Sequence, residues 1–141
     1  MTTSTTDPLL IDLATHPGIV AIVGLSPNPD RASHGVARYL IGQGVTIYPV
    51  NPVYADQEIL ERKVYRSLTD IPEHIHIVDI FRRSEFIPSV VEEAIAAKAD
   101  AVWLQLGITN PEAEARARAA GLGVVEDRCL KVEHMRIKQR G

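Results

Sequence analysis

Strand-length apolar runs alternate with amphipathic helical segments along almost the whole chain. Five runs have the length and composition of buried strands: IVAIV, VTIYPV, IHIVDIF, AVWLQL and LGVVED, which begin at residues 19, 45, 75, 101 and 122. Between the third and fourth runs, apolar residues recur at the spacing of one helix face from Ile87 to Ile95. Strands that alternate with helices predict a parallel sheet covered on both faces. With right-handed crossovers, the expected fold is a doubly wound, five-stranded α/β domain of the Rossmann-like kind.

Capping residues set the expected limits of the helices. Asp7-Pro8 and Asn110-Pro111 each pair a capping side chain with proline at the first helical position. The 141 residues suit a single domain, 1–141, with a core over about residues 17–134. Residues 53–72 look irregular apart from a helical turn at 67–71. Helices are expected at about residues 7–16, from 33 to 42 or 44, around 87–95, at 110–121 and at 131–139.

Composition excludes several classes of partner. The net charge of −3 argues against nucleic acid, whose binding needs a basic surface. No apolar run reaches the roughly 18 residues of a membrane span, and the N-terminal MTTSTTDP lacks the regions of a signal peptide. A single cysteine excludes an internal disulfide framework and favours a reducing, cytoplasmic setting. The chain is expected to be a monomer or a homodimer.

The first strand leads into the loop GLSPNPDRASH, residues 24–34. In a doubly wound fold the ligand crevice lies at the carboxyl ends of the strands, so this loop is a candidate site. Gly24 permits a tight turn, while Ser26, Asn28 and Ser33 offer short hydrogen-bonding groups and Arg31 offers a cation. A helix that starts near Ser33 would direct free N–H groups at a pyrophosphate. The alternative is that the loop is only a rigid turn with a serine cap.

The second loop argues against NAD. A site for NAD usually has Asp or Glu at the end of the second strand, where it holds the ribose hydroxyls. Here that position is Pro49-Val50-Asn51-Pro52, and no carboxylate follows before Asp56. Together with the missing glycines of the first loop, this favours a different nucleotide.

The third and fourth loops add cationic and polar groups at the same edge. Arg82 and Arg83 are suited to phosphate, unless one of them pairs with Glu85, and Phe81 is either core or a wall for a stacked base. Gln105 is polar in an apolar run, so it either satisfies backbone groups or binds a ligand amide. Gly107, after Leu106 in the fourth loop, permits close approach of the backbone to a ligand.

The fifth loop holds the only thiol. Cys129 lies between Arg128 and Leu130-Lys131, and neighbouring cations are typical of reactive cysteines. An inert, packed cysteine is the alternative. The five histidines are scattered, and no group of cysteines, histidines and carboxylates has the sequence spacing of a metal site. We find no nucleophile–base pair either, so no catalytic residue and no metal site are expected.

The chain resembles the small stand-alone CoA-binding proteins, which share a Rossmann-like domain with the alpha subunit of succinyl-CoA synthetase. The stretches that carry the resemblance are AIVGLSPNPDRASHGVARYL, YPVNP, VYRSLTDIP, VDIFRR, AVWLQLGI and EDRCLKVEH, in this order along residues 17–134. The resemblance implies that coenzyme A (CoA) or an acyl-CoA lies across the carboxyl ends of the strands. Gly24 to Arg31, including Leu25, would hold the pyrophosphate, and Val50 to Pro52 would lie beside the adenosine 3′-phosphate.

The resemblance also implies roles for the remaining loops. Phe81 to Arg83 and Gln105 to Gly107 would line the crevice toward the pantetheine, and Cys129 would approach the CoA sulfur and form a mixed disulfide. The second domain and partner subunit of the synthetases have no counterpart in this sequence, which favours a binding or sensor protein without catalysis of its own. The alternatives are a detached subunit of an acyl-CoA synthetase or transferase that acts with an unidentified protein partner, and an NAD(P)-binding redox regulator.

Overall fold

The computed structural model describes residues 3–140, so both ends of the expected domain 1–141 lie outside the described residues. It contains seven strands and five helices in the described range. In chain order they are α1 (Pro8–Thr15), β1 (Ile19–Val23), α2 (Ala32–Gly42), β2 (Thr46–Val50), β3 (Glu58–Ile59), β4 (Arg62–Lys63), β5 (Ile77–Ile80), α3 (Ile87–Ala96), β6 (Ala101–Leu104), α4 (Pro111–Ala119), β7 (Gly123–Val125) and α5 (Leu130–Arg140).

Five parallel strands form the central sheet in the order β2-β1-β5-β6-β7. The three central strands are almost wholly buried, as their continuous apolar sequences require when helices cover both faces of a sheet. In register across the centre, Ile22 of β1 lies beside Asp79 of β5, which lies beside Trp103 of β6. The predicted doubly wound, five-stranded, Rossmann-like α/β fold is confirmed.

Two apolar layers enclose the sheet. On one face Leu10 of α1, Val36 of α2 and Leu130 of α5 pack in one cluster. On the other face Val90 of α3 and Ala117 of α4 pack in a second cluster. Three helices therefore cover one face of the sheet, and two cover the other.

A two-stranded hairpin, β3–β4, occupies part of the segment that we expected to be irregular. Its turn residues Leu60 and Glu61 have φ of 53° and 64°, the left-handed conformation that a tight hairpin turn requires. The sequence signal for such a turn is Asn-Gly, which is absent here. The Arg62 side chain holds the turn instead, with Nη1 donating to the Leu60 carbonyl at 2.6 Å. The hairpin was therefore not visible in the sequence pattern.

The other predicted elements differ from the structure mainly at their ends. A helical turn is present at Leu68–Asp70, as expected, but the Ser67 side chain bonds the side chains of Thr69 and Asp70 and caps no backbone N–H. Within residues 3–140, no helix is both long enough and apolar enough to cross a bilayer.

Candidate functional site

The strand order reverses between β1 and β5. From β1 the chain continues to β2 on one side of the sheet, and from β5 it continues to β6 on the other side. Ligands of open α/β sheets bind in the crevice outside the carboxyl ends of the strands at such a reversal. A cavity of about 460 Å³ opens there. Ten residues from the loops after β1, β5 and β6 line it: Gly24, Ser26, Asp30, Arg31, Ala32, Ser33, Phe81, Gln105, Leu106 and Ile108.

The start of α2 faces this cavity without a side-chain cap. Its N-cap residue is Arg31, which makes no capping hydrogen bond, and the first turn contains no acidic residue. The N–H groups of Ala32 and Ser33 have no acceptor among the described residues. Uncapped N–H groups at a helix start attract anions, since the helix dipole adds positive charge there. Arg31 lines the same cavity and supplies a full positive charge.

The short polar side chains of the first loop fold the loop itself. Ser33 Oγ accepts from the Ser26 N–H at 3.0 Å, and Ser26 Oγ accepts from the Asn28 N–H at 3.1 Å. Asn28 Oδ1 in turn accepts from the Asp30 N–H at 2.9 Å. The serine at 33 is therefore not the cap of α2, and the loop is more than a turn closed by a capping side chain. Besides the Asp30 carboxylate, the groups that it leaves open to the cavity are backbone N–H groups and Arg31.

Gly24 has a different role from the one that we expected. Its φ is 85°, and a Cβ placed on it would lie 2.4 Å from the Phe81 carbonyl oxygen. The missing side chain thus makes room for the loop after β5, and close approach of a ligand is not its main reason. The Gly24 N–H donates to the Val50 carbonyl at 2.8 Å, so this residue holds three loops together.

The second loop is held against the first and does not line the cavity. Asn51 Nδ2 donates to the Leu25 carbonyl at 3.1 Å, and Asn51 Oδ1 accepts from the Val53 N–H at 3.0 Å. The side chains of Leu25 and Val50 are buried in the core, so only their backbone can face a ligand. Pro52 begins a short 3₁₀ turn beside them.

In the third loop, only Phe81 lines the cavity. The Arg82 guanidinium stacks 4.3 Å from the centre of the Phe86 ring. Arg83 pairs with Glu85 at 3.3 Å on the exposed surface. The two arginines thus lie beside the crevice with partners of their own, and the pairing with Glu85 that we considered is present.

The fourth and fifth loops are joined by one hydrogen bond. The Gly107 N–H donates to Asp127 Oδ1 at 2.6 Å, and both residues have a positive φ, 85° and 54°. Just before this contact, Gln105 is 8% exposed and its Oε1 has no hydrogen-bond partner in the described chain. Leu106 is 63% exposed at the cavity mouth. A buried acceptor without a partner is costly in a protein, unless a ligand supplies the donor.

Cys129 lies immediately before α5 and is half-buried. Its side chain packs against the apolar face that α1, α2 and α5 cover, outside the cavity lining. The backbone of the preceding residue, Arg128, is held in place by β6, because the Trp103 indole N–H donates to the Arg128 carbonyl at 2.8 Å.

Seven predicted residues line the cavity: Gly24, Ser26, Arg31, Ser33, Phe81, Gln105 and Leu106. Nine others do not line it: Leu25, Asn28, Val50, Asn51, Pro52, Arg82, Arg83, Gly107 and Cys129. The sequence interpretation missed Asp30, Ala32 and Ile108. Asp30 and Ala32 lie within the first loop, between residues that we had selected, and Ile108 directly follows Gly107.

Far from the crevice, His74, His76 and Asp100 lie together, with candidate ligand atoms within 4.8 Å of one another. His74 and His76 are the one close histidine pair of the sequence, but their proximity to Asp100 was not predictable, because Asp100 is distant in the chain. His74 Nε2 contacts Asp100 Oδ1 at 2.9 Å, while His76 Nδ1 accepts from the Ile19 N–H at 2.9 Å. The neutral His76 ring therefore carries its proton on Nε2, which leaves no free lone pair for a metal. The arrangement is that of a hydrogen-bonded group at the amino edge of the sheet.

The geometry defines a class: a doubly wound α/β domain with an open helix start and a cation at its switch point, as in proteins that bind the phosphates of nucleotides. Comparison with known proteins is more specific. The model of the family described as "CoA binding domain" matches residues 19–135, and the chain belongs to this family.

Similar proteins include small ones of about the same length. An uncharacterized protein of Bacillus subtilis, YneT, is 43% identical over 115 residues, which cover 82% of this chain and 84% of YneT. A solved structure of a hypothetical protein from Pyrococcus horikoshii is 41% identical with a TM-score of 0.89, covering 94% of this chain and 92% of that one. The alpha subunit of the ADP-forming acetate–CoA ligase I of Pyrococcus furiosus is 35% identical over 82 residues, covering 55% of this chain but only 18% of that subunit.

Proposed function

We propose that this protein binds coenzyme A or an acyl-CoA across the carboxyl edge of its sheet, as a cytoplasmic binding or sensor protein. The observation that carries the proposal is the uncapped start of α2, which opens with Arg31 into the cavity at the switch point. A pyrophosphate supplies the negative oxygens that these N–H groups and this guanidinium require. Membership of the CoA-binding family supports CoA as the source of that pyrophosphate.

The parts of the ligand are assigned to the loops as follows. The loop Gly24 to Arg31, which includes Leu25, Ser26 and Asn28, and the helix start at Ser33 hold the pyrophosphate. Val50 to Pro52 lie on the β2 side of that loop and flank the adenosine with its 3′-phosphate, while Arg82 and Arg83 follow Phe81 along the crevice toward the pantetheine. The pantetheine arm extends past Phe81 toward Gln105, Leu106 and Gly107. A cavity of about 460 Å³ suits the central part of so long a ligand, with the adenosine outside on the surface.

Isothermal titration calorimetry with CoA, dephospho-CoA and NAD tests this assignment. We expect CoA to bind, NAD to bind far more weakly or not at all, and dephospho-CoA to bind more weakly than CoA. Equal affinities for CoA and dephospho-CoA would remove the 3′-phosphate contact while leaving the pyrophosphate site. NAD binding at least as tight as CoA binding would favour a redox regulator instead.

A redox form of the same complex is proposed through Cys129, which is half-buried and is the only thiol of the chain. In this step the Cys129 thiolate attacks CoA disulfide, one CoA leaves as its thiolate, and the other stays bound in a mixed disulfide. After incubation with CoA disulfide, intact-mass spectrometry should show a gain of one CoA that dithiothreitol removes. The same gain in Cys129→Ser would contradict the step.

A second candidate is favoured by the acetate–CoA ligase match, in which the related segment is a small part of a larger subunit. On this hypothesis the chain acts as a detached CoA-binding subunit with a separate protein that supplies the other substrates. Affinity purification of the tagged chain, followed by an assay of acyl-CoA formation with the recovered proteins, tests it. Absence of turnover with any acid and nucleotide would exclude this role.

A further inference from the structure

Gln105 is the one cavity residue whose side-chain polar group is both deeply buried and unsatisfied in residues 3–140. It is 8% exposed, and its Oε1 has no hydrogen-bond partner. Its backbone is fixed on both sides, because its N–H donates to the Ile80 carbonyl at 3.3 Å and its carbonyl accepts from the Ile108 N–H at 2.9 Å. The side chain is thus presented by a rigid segment, and its acceptor is ready for a donor that the protein does not supply.

The surroundings of this acceptor indicate what kind of donor fits. Phe81, Leu106 and Ile108 are apolar residues of the cavity wall, in the loops that follow β5 and β6. An amide oxygen repels phosphate oxygens, and an apolar wall disfavours a charged donor. A neutral N–H on a largely aliphatic chain satisfies both requirements. The pantetheine arm of CoA carries two secondary amides on such a chain, whereas the only neutral N–H donor of its nucleotide half is the adenine amino group.

We infer that Gln105 determines specificity for the pantetheine arm, by accepting a hydrogen bond from one of its amide N–H groups. The inference rests on the proposed function and deepens it, because it separates recognition of the arm from recognition of the phosphates. Recognition of an amide also makes binding independent of the sulfur, so free CoA and its acyl thioesters satisfy Gln105 equally.

The test compares three ligands on Gln105→Met, which keeps the length of the side chain and removes the acceptor. The ligands are CoA, desulfo-CoA, which keeps both amides, and adenosine 3′-phosphate 5′-diphosphate, which is the nucleotide half alone. Calorimetry should show about tenfold weaker binding of CoA and of desulfo-CoA, and unchanged binding of the nucleotide half. Gln43→Met is the matched control, since Gln43 is an exposed residue at the far end of α2.

Each other outcome overturns the inference. Equal weakening of the nucleotide half would mean that Gln105 supports the loops or contacts adenine. Weakening of CoA but not desulfo-CoA would mean that it contacts the sulfur, and no weakening would mean that the amide contact is absent. Failure of the wild-type protein to bind CoA or its nucleotide half would instead overturn the proposed function itself. Binding of the nucleotide half by Gln105→Met also shows that the variant is folded.

Discussion

Two helices begin at the carboxyl edge of the same sheet, and their first turns are built in opposite ways. At α4, Asn110 Oδ1 accepts from the Ala113 N–H at 3.0 Å, and the Glu114 carboxylate accepts from the Asn110 N–H at 2.8 Å. At α2, Arg31 caps nothing, and Ser33 bonds the preceding loop. A helix start that is satisfied by its own side chains is structural, whereas an open one next to a cavity is available to a ligand.

The strongest way to break this contrast is to give α2 the kind of cap that α4 has. Arg31→Asp places a favoured N-cap residue at the start of α2 and puts a carboxylate where an anion should bind. We expect the free energy of unfolding to rise by about 0.5–2 kcal/mol in denaturant titrations, while affinity for CoA falls on the order of a hundredfold in calorimetry.

Arg31→Gln is the control, because it removes the charge without adding a strong cap. Its affinity for CoA should lie between those of the wild type and Arg31→Asp. An Arg31→Asp protein that is more stable and still binds CoA normally would show that the start of α2 is not the phosphate site.

The loops before α2 and α4 offer a second comparison, between Gly24 and Gly107, which both have a φ of 85°. A Cβ at Gly24 would collide with the Phe81 carbonyl, whereas a Cβ at Gly107 has nothing within 4 Å. We expect Gly24→Ala to lower the free energy of unfolding by at least about 2 kcal/mol, from conformational strain plus the clash. Gly107→Ala should cost only about 1 kcal/mol. Urea titrations that gave equal losses would show that the contact between the loops is not tight.

Much of this organisation was predictable from the sequence, because it follows from local rules. The period of apolar residues predicted the five-stranded parallel sheet, and Asn110-Pro111 predicted the capped start of α4. The contacts between loops were not predictable. The space at Gly24 is taken by Phe81, and Asn51 binds the first loop through Leu25, partners that are remote in the chain. For the same reason, the sequence did not reveal that Ser26 and Ser33 form hydrogen bonds within the first loop and leave the N–H groups at the start of α2 free for a ligand.

Asp79 shows that an unsatisfied group does not by itself mark a ligand site. It is fully buried in β5 outside the cavity lining, and neither carboxyl oxygen has a partner among the described residues. Burial raises the pKa of Asp79 well above its ordinary value. Below the pKa of about 4 in the unfolded chain, Asp79 is protonated in both states, and its full contribution to the stability of the fold is present. That contribution is lost as pH rises toward and through the higher folded pKa, because the unfolded chain ionises at lower pH than the folded protein does.

Asp79→Asn removes that titration and tests whether Asp79 is a protonated, structural residue of the core. Relative to Asp79→Asn, the wild type should lose up to about 1.4 kcal/mol of unfolding free energy per pH unit above pH ~5, until the pH passes the folded pKa. Guanidinium titrations of both proteins at several pH values measure the difference, in which all other titrating groups cancel. A constant difference across the range would mean that Asp79 is not protonated in the folded state.

The smallest expected effect concerns the capped start of α4, which we interpret as structural. Asn110→Ala removes the cap of α4 and also the Asn110 Nδ2 bond to the Ser84 carbonyl. The free energy of unfolding should fall by about 1 kcal/mol. Affinity for CoA should stay within about threefold of the wild type, because no group of this cap lines the cavity. A large loss of affinity in a folded Asn110→Ala protein would mean that the two helix starts are coupled through the loop at Ile108, and the division into a structural and a binding helix start would then fail.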